Sequence, residues 1–235
     1  MLDKLKELID KALGNDKRHP VEGALLSSVG GAAATGLSAM SAIPALIAIS
    51  GKDKSTIASR EQMDALKKVW DKLGVTYEGA TLASLLNGPH FNPQNNSIHS
   101  TVDDLGILAH ETGHAKNFKD VAKLGKLAQK LHMAAYGAGR VGPAAGTVAA
   151  SLAAAVGADD DTVRNIGLLG SGSSIPMLAE ETLASIRGAK LLNAINGVPF
   201  KGKLKAFVGL PTYLSAAAAP MAPWAAFKAY DAIKD

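Results

Sequence analysis

The chain has 235 residues, no cysteine, 25 Lys and Arg against 21 Asp and Glu, and a formal net charge of +4. This length can bury a sizeable core in one large or two small domains. Without cysteine there is no disulfide framework and no thiolate metal site, so histidine and carboxylate are the strong metal ligands left. The basic balance, with a pI near 9.2, is mild and reads first as an ordinary solvated surface, though it also suits an anionic membrane surface. An aromatic platform and finger spacing are both missing, which excludes a nucleic-acid module. Hydrophobic residues make up 47% of the chain and aromatics only 5%, with 24 glycines, a balance that favours close helix–helix packing over a bulky aromatic core.

Residues 2–13 place Leu2, Leu5, Leu8, Ile9, Ala12 and Leu13 on one stripe, an amphipathic helix ended by Gly14 and Asn15. The basic start, apolar run and small-residue cleavage site of a secretory signal are lacking, so export by a signal peptide is not expected. From Ala24 to Gly51 no residue is charged. That run exceeds the roughly 20 residues that span a bilayer, while Gly30 and Gly31 break it toward a hairpin. It reads either as a membrane-associated segment or as a buried core hairpin.

Residues 56–74 set Ile57, Met63, Leu66, Val69, Trp70 and Leu73 on a helical face, with Gly74 as the stop. Val75 to Tyr77 is a short strand candidate. Pro93, Asn95 and Asn96 mark a turn before an extended segment at Ser97–Thr101. Thr101 or Asp103 is a suitable cap for the next helix, whose period runs to about Leu131. Along it Lys116, Lys119, Lys123, Lys126 and Lys130 step by three or four residues into one basic face, either solvated or set against anionic headgroups. Val141–Ala158 and Ile166–Ala179 are uncharged. The second leads into a helix carrying Glu180, Glu181, Leu183, Ile186, Ala189 and Leu191. Ala206–Phe227 is uncharged but holds Pro211, Pro220 and Pro223, which predicts a kinked or hairpin-like element.

The chemistry centres on His110, Glu111, Thr112, Gly113 and His114. Histidines at i and i+4 lie one above the other on a helix and can grip a single ion, and Glu111 can reach a water beside it. This is the His-Glu-x-x-His arrangement of zinc peptidases, two nitrogen ligands and a general base. A catalytic zinc needs a third protein ligand. Asp120 offers one, six residues on, if the helix turns at Asn117; Glu181 offers another from a later helix. The helical period running on past His114 favours the later carboxylate, and Glu180 is its neighbour in register.

From His110 to Asn117 the residues match a His-Glu-x-Gly-His-x-Lys-Asn signature, and Glu181 to Ser185 match a Glu-x-x-Ala-Asp motif except at the last position. In these residues the chain resembles the integral-membrane peptidases of the CAAX prenyl endopeptidase and bacterial heat-shock type. The resemblance covers roughly residues 92–192. It implies zinc held by His110, His114 and Glu181, Glu111 as general base, and a peptide or protein substrate. Ser185 stands where that family has a carboxylate supporting the ligands, which implies weaker metal affinity or activity. His90, His99, Tyr136 and Tyr213 are candidates for stabilising an oxyanion, and the Ser97–Thr101 strand for the edge that takes an extended substrate. Tyr136, Trp70 and Trp224 are also expected as packing residues, and His19 and His132 as surface or boundary histidines.

The expectation is therefore a mainly α chain with a small β element, a zincin-like α+β fold with several Ala/Gly-rich helices or hairpins. Residues 1–55 hold the amphipathic helix and apolar segment. Residues 56–235 hold the catalytic domain, with apolar insertions at 141–179 and 206–227. The expected function is a membrane-associated zinc metalloendopeptidase. The alternative is a membrane-inserting structural or pore-forming protein, such as one ejected from a virion, in which the peptidase motif is secondary.

Overall fold

Ser59 opens the first helix of the computed structural model, which describes residues 56–234. Its hydroxyl accepts from the Gln62 N–H while the Gln62 side chain accepts from the Ser59 N–H, a reciprocal cap. Helix α1 (Arg60–Leu73) buries Leu66 and Trp70. There follow β1 (Thr76–Gly79), α2 (Leu82–Asn87), β2 (His90–Asn92), β3 (Ser97–His99) and α3 (Leu105–Ala122). Then come α4 (Lys126–Ala155), α5 (Asp160–Gly172), α6 (Ile175–Asn193), α7 (Phe200–Lys205) and α8 (Leu210–Ala218). A 3₁₀ turn (Ala219–Met221) leads to α9 (Ala222–Lys234). The protein is thus mainly helical, with one small three-stranded sheet.

The chain divides into two compact units, one formed in the described region by residues 56–136 and 178–210, the other by 137–177 and 211–234. In the first, β3 is the central strand, paired parallel to β1 and antiparallel to β2. This overturns the expectation that Ser97–Thr101 forms a sheet edge: the strand stops at His99 and both its sides are occupied. The outer strands are β1 and β2. The core of this unit joins Leu66, Trp70, Phe91, Ile98, Leu105, Leu108 and Phe118, so α3 lies against both α1 and the sheet.

Helix α3 starts at neither expected cap. Asp104 caps it, with Oδ1 accepting from the N–H groups of Gly106 (2.9 Å) and Ile107 (3.3 Å). Its other oxygen lies 2.7 Å from the Lys205 ammonium, and Thr56 donates to the same oxygen at 2.7 Å. This buried ion pair satisfies two charges that would otherwise be costly to bury, and it ties α7 to the start of α3. The other end is also corrected. The helix stops at Ala122 rather than Leu131, because Gly125 takes φ 105, a conformation suited to glycine, and a new helix starts at Lys126. The lysines therefore form no single face: Lys116 and Lys123 pair with Asp120, and Lys119 donates to the Lys72 carbonyl.

Helices α3 and α6 approach with almost nothing between their backbones. A Cβ on Gly113 would collide with the Ala184 backbone, and one on Gly188 would sit 2.8 Å from the Ala109 carbonyl oxygen. The second unit uses the same device. A Cβ on Gly146 would sit 2.5 Å from the Gly170 Cα, and a Cβ on Gly167 would come 2.7 Å from the Pro220 carbonyl oxygen. Beside them Ala150, Ala154, Val163 and Phe227 form a small core that Trp224 packs against. Residues 206–227 are broken at the 3₁₀ turn containing Pro220, in keeping with the kinked element expected there. No helix among the described residues is long and apolar enough to cross a membrane. The helix expected over residues 2–13, His19 and the uncharged run 24–51 lie outside the described residues.

Replacing Gly113 by Ala is expected to push α3 from α6 and destabilise the fold by about 1–3 kcal/mol, the usual cost of overpacking. Denaturant unfolding measures this, and an unchanged midpoint would contradict the close approach.

Candidate metal centre

The pentapeptide occupies the middle of α3, and its positions face three directions. Thr112 accepts a hydrogen bond from the Trp70 indole N–H at 2.8 Å and donates to the Leu108 carbonyl at 2.7 Å. Gly113 faces α6. His110 and His114 turn toward a third direction, where α6 supplies Glu180 and Glu181.

The three expected ligand atoms converge. His110 Nε2 and His114 Nε2 are 3.2 Å apart, and Glu181 Oε2 lies 3.2 Å from the first and 3.4 Å from the second. Glu181 is fully buried, and both histidines are nearly so. Tetrahedral bonds of about 2.0–2.1 Å place neighbouring ligand atoms about 3.3–3.4 Å apart, close to the edges of this triangle. The cluster can hold a metal ion, and its nitrogen and carboxylate donors suit a borderline divalent cation.

The surrounding groups fix the ligands. His114 Nδ1 lies 2.9 Å from Glu180 Oε1, the arrangement in which a carboxylate orients a metal-binding imidazole. Glu180 is itself held by the Asn117 amide, which donates at 2.7 Å, and faces His132 Nε2 at 3.2 Å. His110 Nδ1 lies 3.0 Å from the Ala206 carbonyl and 3.1 Å from Ser185 Oγ. A proton on Nδ1 directed at that carbonyl leaves Nε2 facing the cluster. Ser185 thus lies beside one histidine, and the nearby buried carboxylate, Glu180, lies beside the other.

Several expectations are corrected by this geometry. Glu180 supports a ligand and is not the third member of the triangle. Asp120 is remote from it, paired with Lys116, Lys123 and Arg187, because α3 continues as a helix past Asn117. His132 is a boundary histidine, one of the two placements expected for it; it is partly buried and stacks edge-on to Phe118. Tyr136, named as a packing residue, donates to Glu181 Oε1 at 2.7 Å. His90 and His99 are stacked on one another in the sheet, with His99 engaged by Thr81 and Ser97. Tyr213 belongs to the other unit. Trp70 is a core residue as expected. The roles of His132 and Glu180 left no trace in motif spacing: Lys130 stands two residues before the first and Glu181 beside the second, so neither stands out as a lone polar residue in an apolar stretch.

Glu111 is 7% exposed, and no described residue hydrogen-bonds its carboxylate. With Glu180 and Glu181 it gives the site three buried carboxylates, an excess of negative charge that calls for a cation. In the metal-free protein a proton supplies part of it. Burial opposes a charged His114, but hydrogen bonds to Glu180 and Glu181 and the charges of Glu181 and Glu111 prevail, raising its pKa from 6.5 to about 10. Burial likewise opposes ionised Glu181, and its hydrogen bonds to His110 and His114 override that, holding the carboxyl well below the usual carboxylate range.

No protein-family model, curated protein or solved structure matches the chain. The chemistry of these side chains therefore carries the functional reading.

Because the folded His114 pKa lies above its unfolded value, its contribution to metal-free stability is full below about pH 6.5. It is lost as pH rises toward 10. A metal must displace the same proton, so binding at pH 8 is expected to release about one proton per ion. Calorimetry in buffers of different ionisation enthalpy measures this, and a buffer-independent heat would contradict it.

Proposed function

We propose that the protein is a zinc-dependent metallopeptidase of zincin-like architecture. The observation that carries this reading is the triangle of His110, His114 and Glu181, closed to tetrahedral edge lengths, with the Glu111 charge acting on His114. His110, His114 and Glu181 hold the ion and leave one position open, which distinguishes a catalytic site from a structural one. Bound zinc supplies a Lewis acid that polarises the scissile carbonyl and acidifies water. Glu111, whose carboxylate no described side chain engages, accepts a proton from the attacking water and returns it to the departing amine. An extended peptide adds to a sheet at an outer strand. Here β2 has that position, with its Phe91 packed 5.6 Å from Phe118 of α3.

Purified full-length protein is expected to carry about one zinc per chain by elemental analysis, and His110→Ala and Glu181→Ala to lose it. Glu111→Gln is expected to keep the metal while peptide cleavage falls by about 10²–10⁴. A wild-type protein that takes up no zinc, or a Glu111→Gln variant that cleaves normally, would sink the proposal.

Membrane contact is a second reading, favoured by one observation. Val141, Val148 and Leu152 stand exposed on one face of α4, within an uncharged stretch. Exposed apolar residues aligned in this way mark a surface that meets something apolar. In the alternative role this contact, not peptide hydrolysis, is the function, and the protein inserts into or permeabilises a bilayer. Co-flotation with anionic vesicles, weakened by Leu152→Asp, tests the contact. Dye release retained in Glu111→Gln would point to the structural role, and protein that stays with the unbound fraction would refute both membrane readings.

A further inference from the structure

Glu181 is the third member of the triangle, and a carboxylate can bind a cation through one oxygen or two. Its oxygens have different surroundings here. Oε2 faces His110 Nε2 at 3.2 Å and His114 Nε2 at 3.4 Å. Oε1 accepts a hydrogen bond of 2.7 Å from the Tyr136 hydroxyl. The whole residue is buried, with no exposure to solvent. Water therefore does not compete for Oε1, and the phenol is the partner that occupies it.

A hydrogen bond of this kind draws electron density onto Oε1 and fixes the carboxylate plane, so that one oxygen is presented to the histidines and the other is withheld. The consequence concerns coordination number. If both oxygens bound, the two histidines, the chelating carboxylate and a water would make the centre five-coordinate. With one oxygen withheld, three protein atoms bind and the fourth position stays open for water, as a hydrolytic site needs. The same bond commits the Tyr136 proton to a ligand, which separates this residue from the oxyanion-stabilising role for which its chemistry also qualifies it.

We infer that Tyr136 is a positioning residue that holds Glu181 to single-oxygen ligation and so sets the coordination number of the metal centre. This rests on the reading of His110, His114 and Glu181 as a zinc site, and it assigns to Tyr136 a role in metal geometry.

Cobalt(II) titrated into the full-length metal-free protein reports coordination directly, because four-coordinate cobalt absorbs visible light several-fold more strongly than five- or six-coordinate cobalt. Wild type is expected to give the intense four-coordinate spectrum. Tyr136→Phe, which removes only the hydroxyl, is expected to lose most of that intensity, and its cobalt affinity to fall by about 10-fold or more. An intense spectrum in Tyr136→Phe overturns the inference, as does a weak spectrum in a wild type that binds cobalt. A wild type that binds no cobalt instead overturns the zinc reading beneath it. Should Tyr136→Phe take up no cobalt, Tyr136→Gln decides, since its amide can again donate to Oε1. Recovered uptake supports the inference, and continued loss in a variant that unfolds cooperatively overturns it.

Discussion

The site depends on the contact between α3 and α6 at Gly113 and Gly188. Two helices whose side chains interdigitate lie about 8–10 Å apart. Here a glycine on each helix lets the partner backbone come within reach of where a side chain would start. Only at such a separation can a glutamate on α6 set one oxygen between two imidazoles on α3 at 3.2 and 3.4 Å. The second residue between the histidines serves the opposite side, where Thr112 and Trp70 lock α3 to α1. The five positions of the motif thus divide into two histidines and a glutamate that carry the polar chemistry, and two packing residues that fix where the histidines go.

Around the triangle lies a set of buried polar groups that is expensive unless complete. Glu180 is satisfied by His114 and Asn117 with His132 beside it, Glu181 by the histidines and Tyr136, and His110 by Ser185 and the Ala206 carbonyl. The Lys205–Asp104 pair fixes the end of α7 next to that carbonyl, so the orientation of His110 is linked to the cap of its own helix. This bears on the serine at position 185. In place of a carboxylate, a backbone carbonyl and a hydroxyl orient one histidine, and a carboxylate one residue before the third ligand orients the other.

Some of this was legible in the chain. The i, i+4 spacing of His110 and His114, the uncharged face before them and the later helix bearing Glu181 follow from helical periodicity, which is local. The mainly helical character, the first helix ending at Gly74 and the break near Pro220 also follow from local signals. What was misjudged depended on single residues with non-local or conformational effects. Gly125 ends α3 although the apolar period continues past it. Pairing on both sides of β3 is a property of three strands together, so Ser97–Thr101 alone could not show that it lies inside the sheet. That His132 faces Glu180 could not be read either, because the two are distant in sequence.

The sequence by itself determined the donor chemistry: no thiolate is present, and two histidines and a glutamate sit at the spacing of one helical turn. Those facts are covalent and local, and helix geometry alone puts both imidazoles on one face of one helix. Tertiary structure alone decided which carboxylate completes the triangle. Glu180, Glu181 and Asp120 have the same functional group, and they differ only in where the α3–α6 contact places them. Glu181 meets both histidines, Glu180 reaches the far side of one, and Asp120 is carried away to the basic side chains around it. Distances of a few tenths of an ångström between side chains some seventy residues apart are set by packing, and packing has no local signature in the chain.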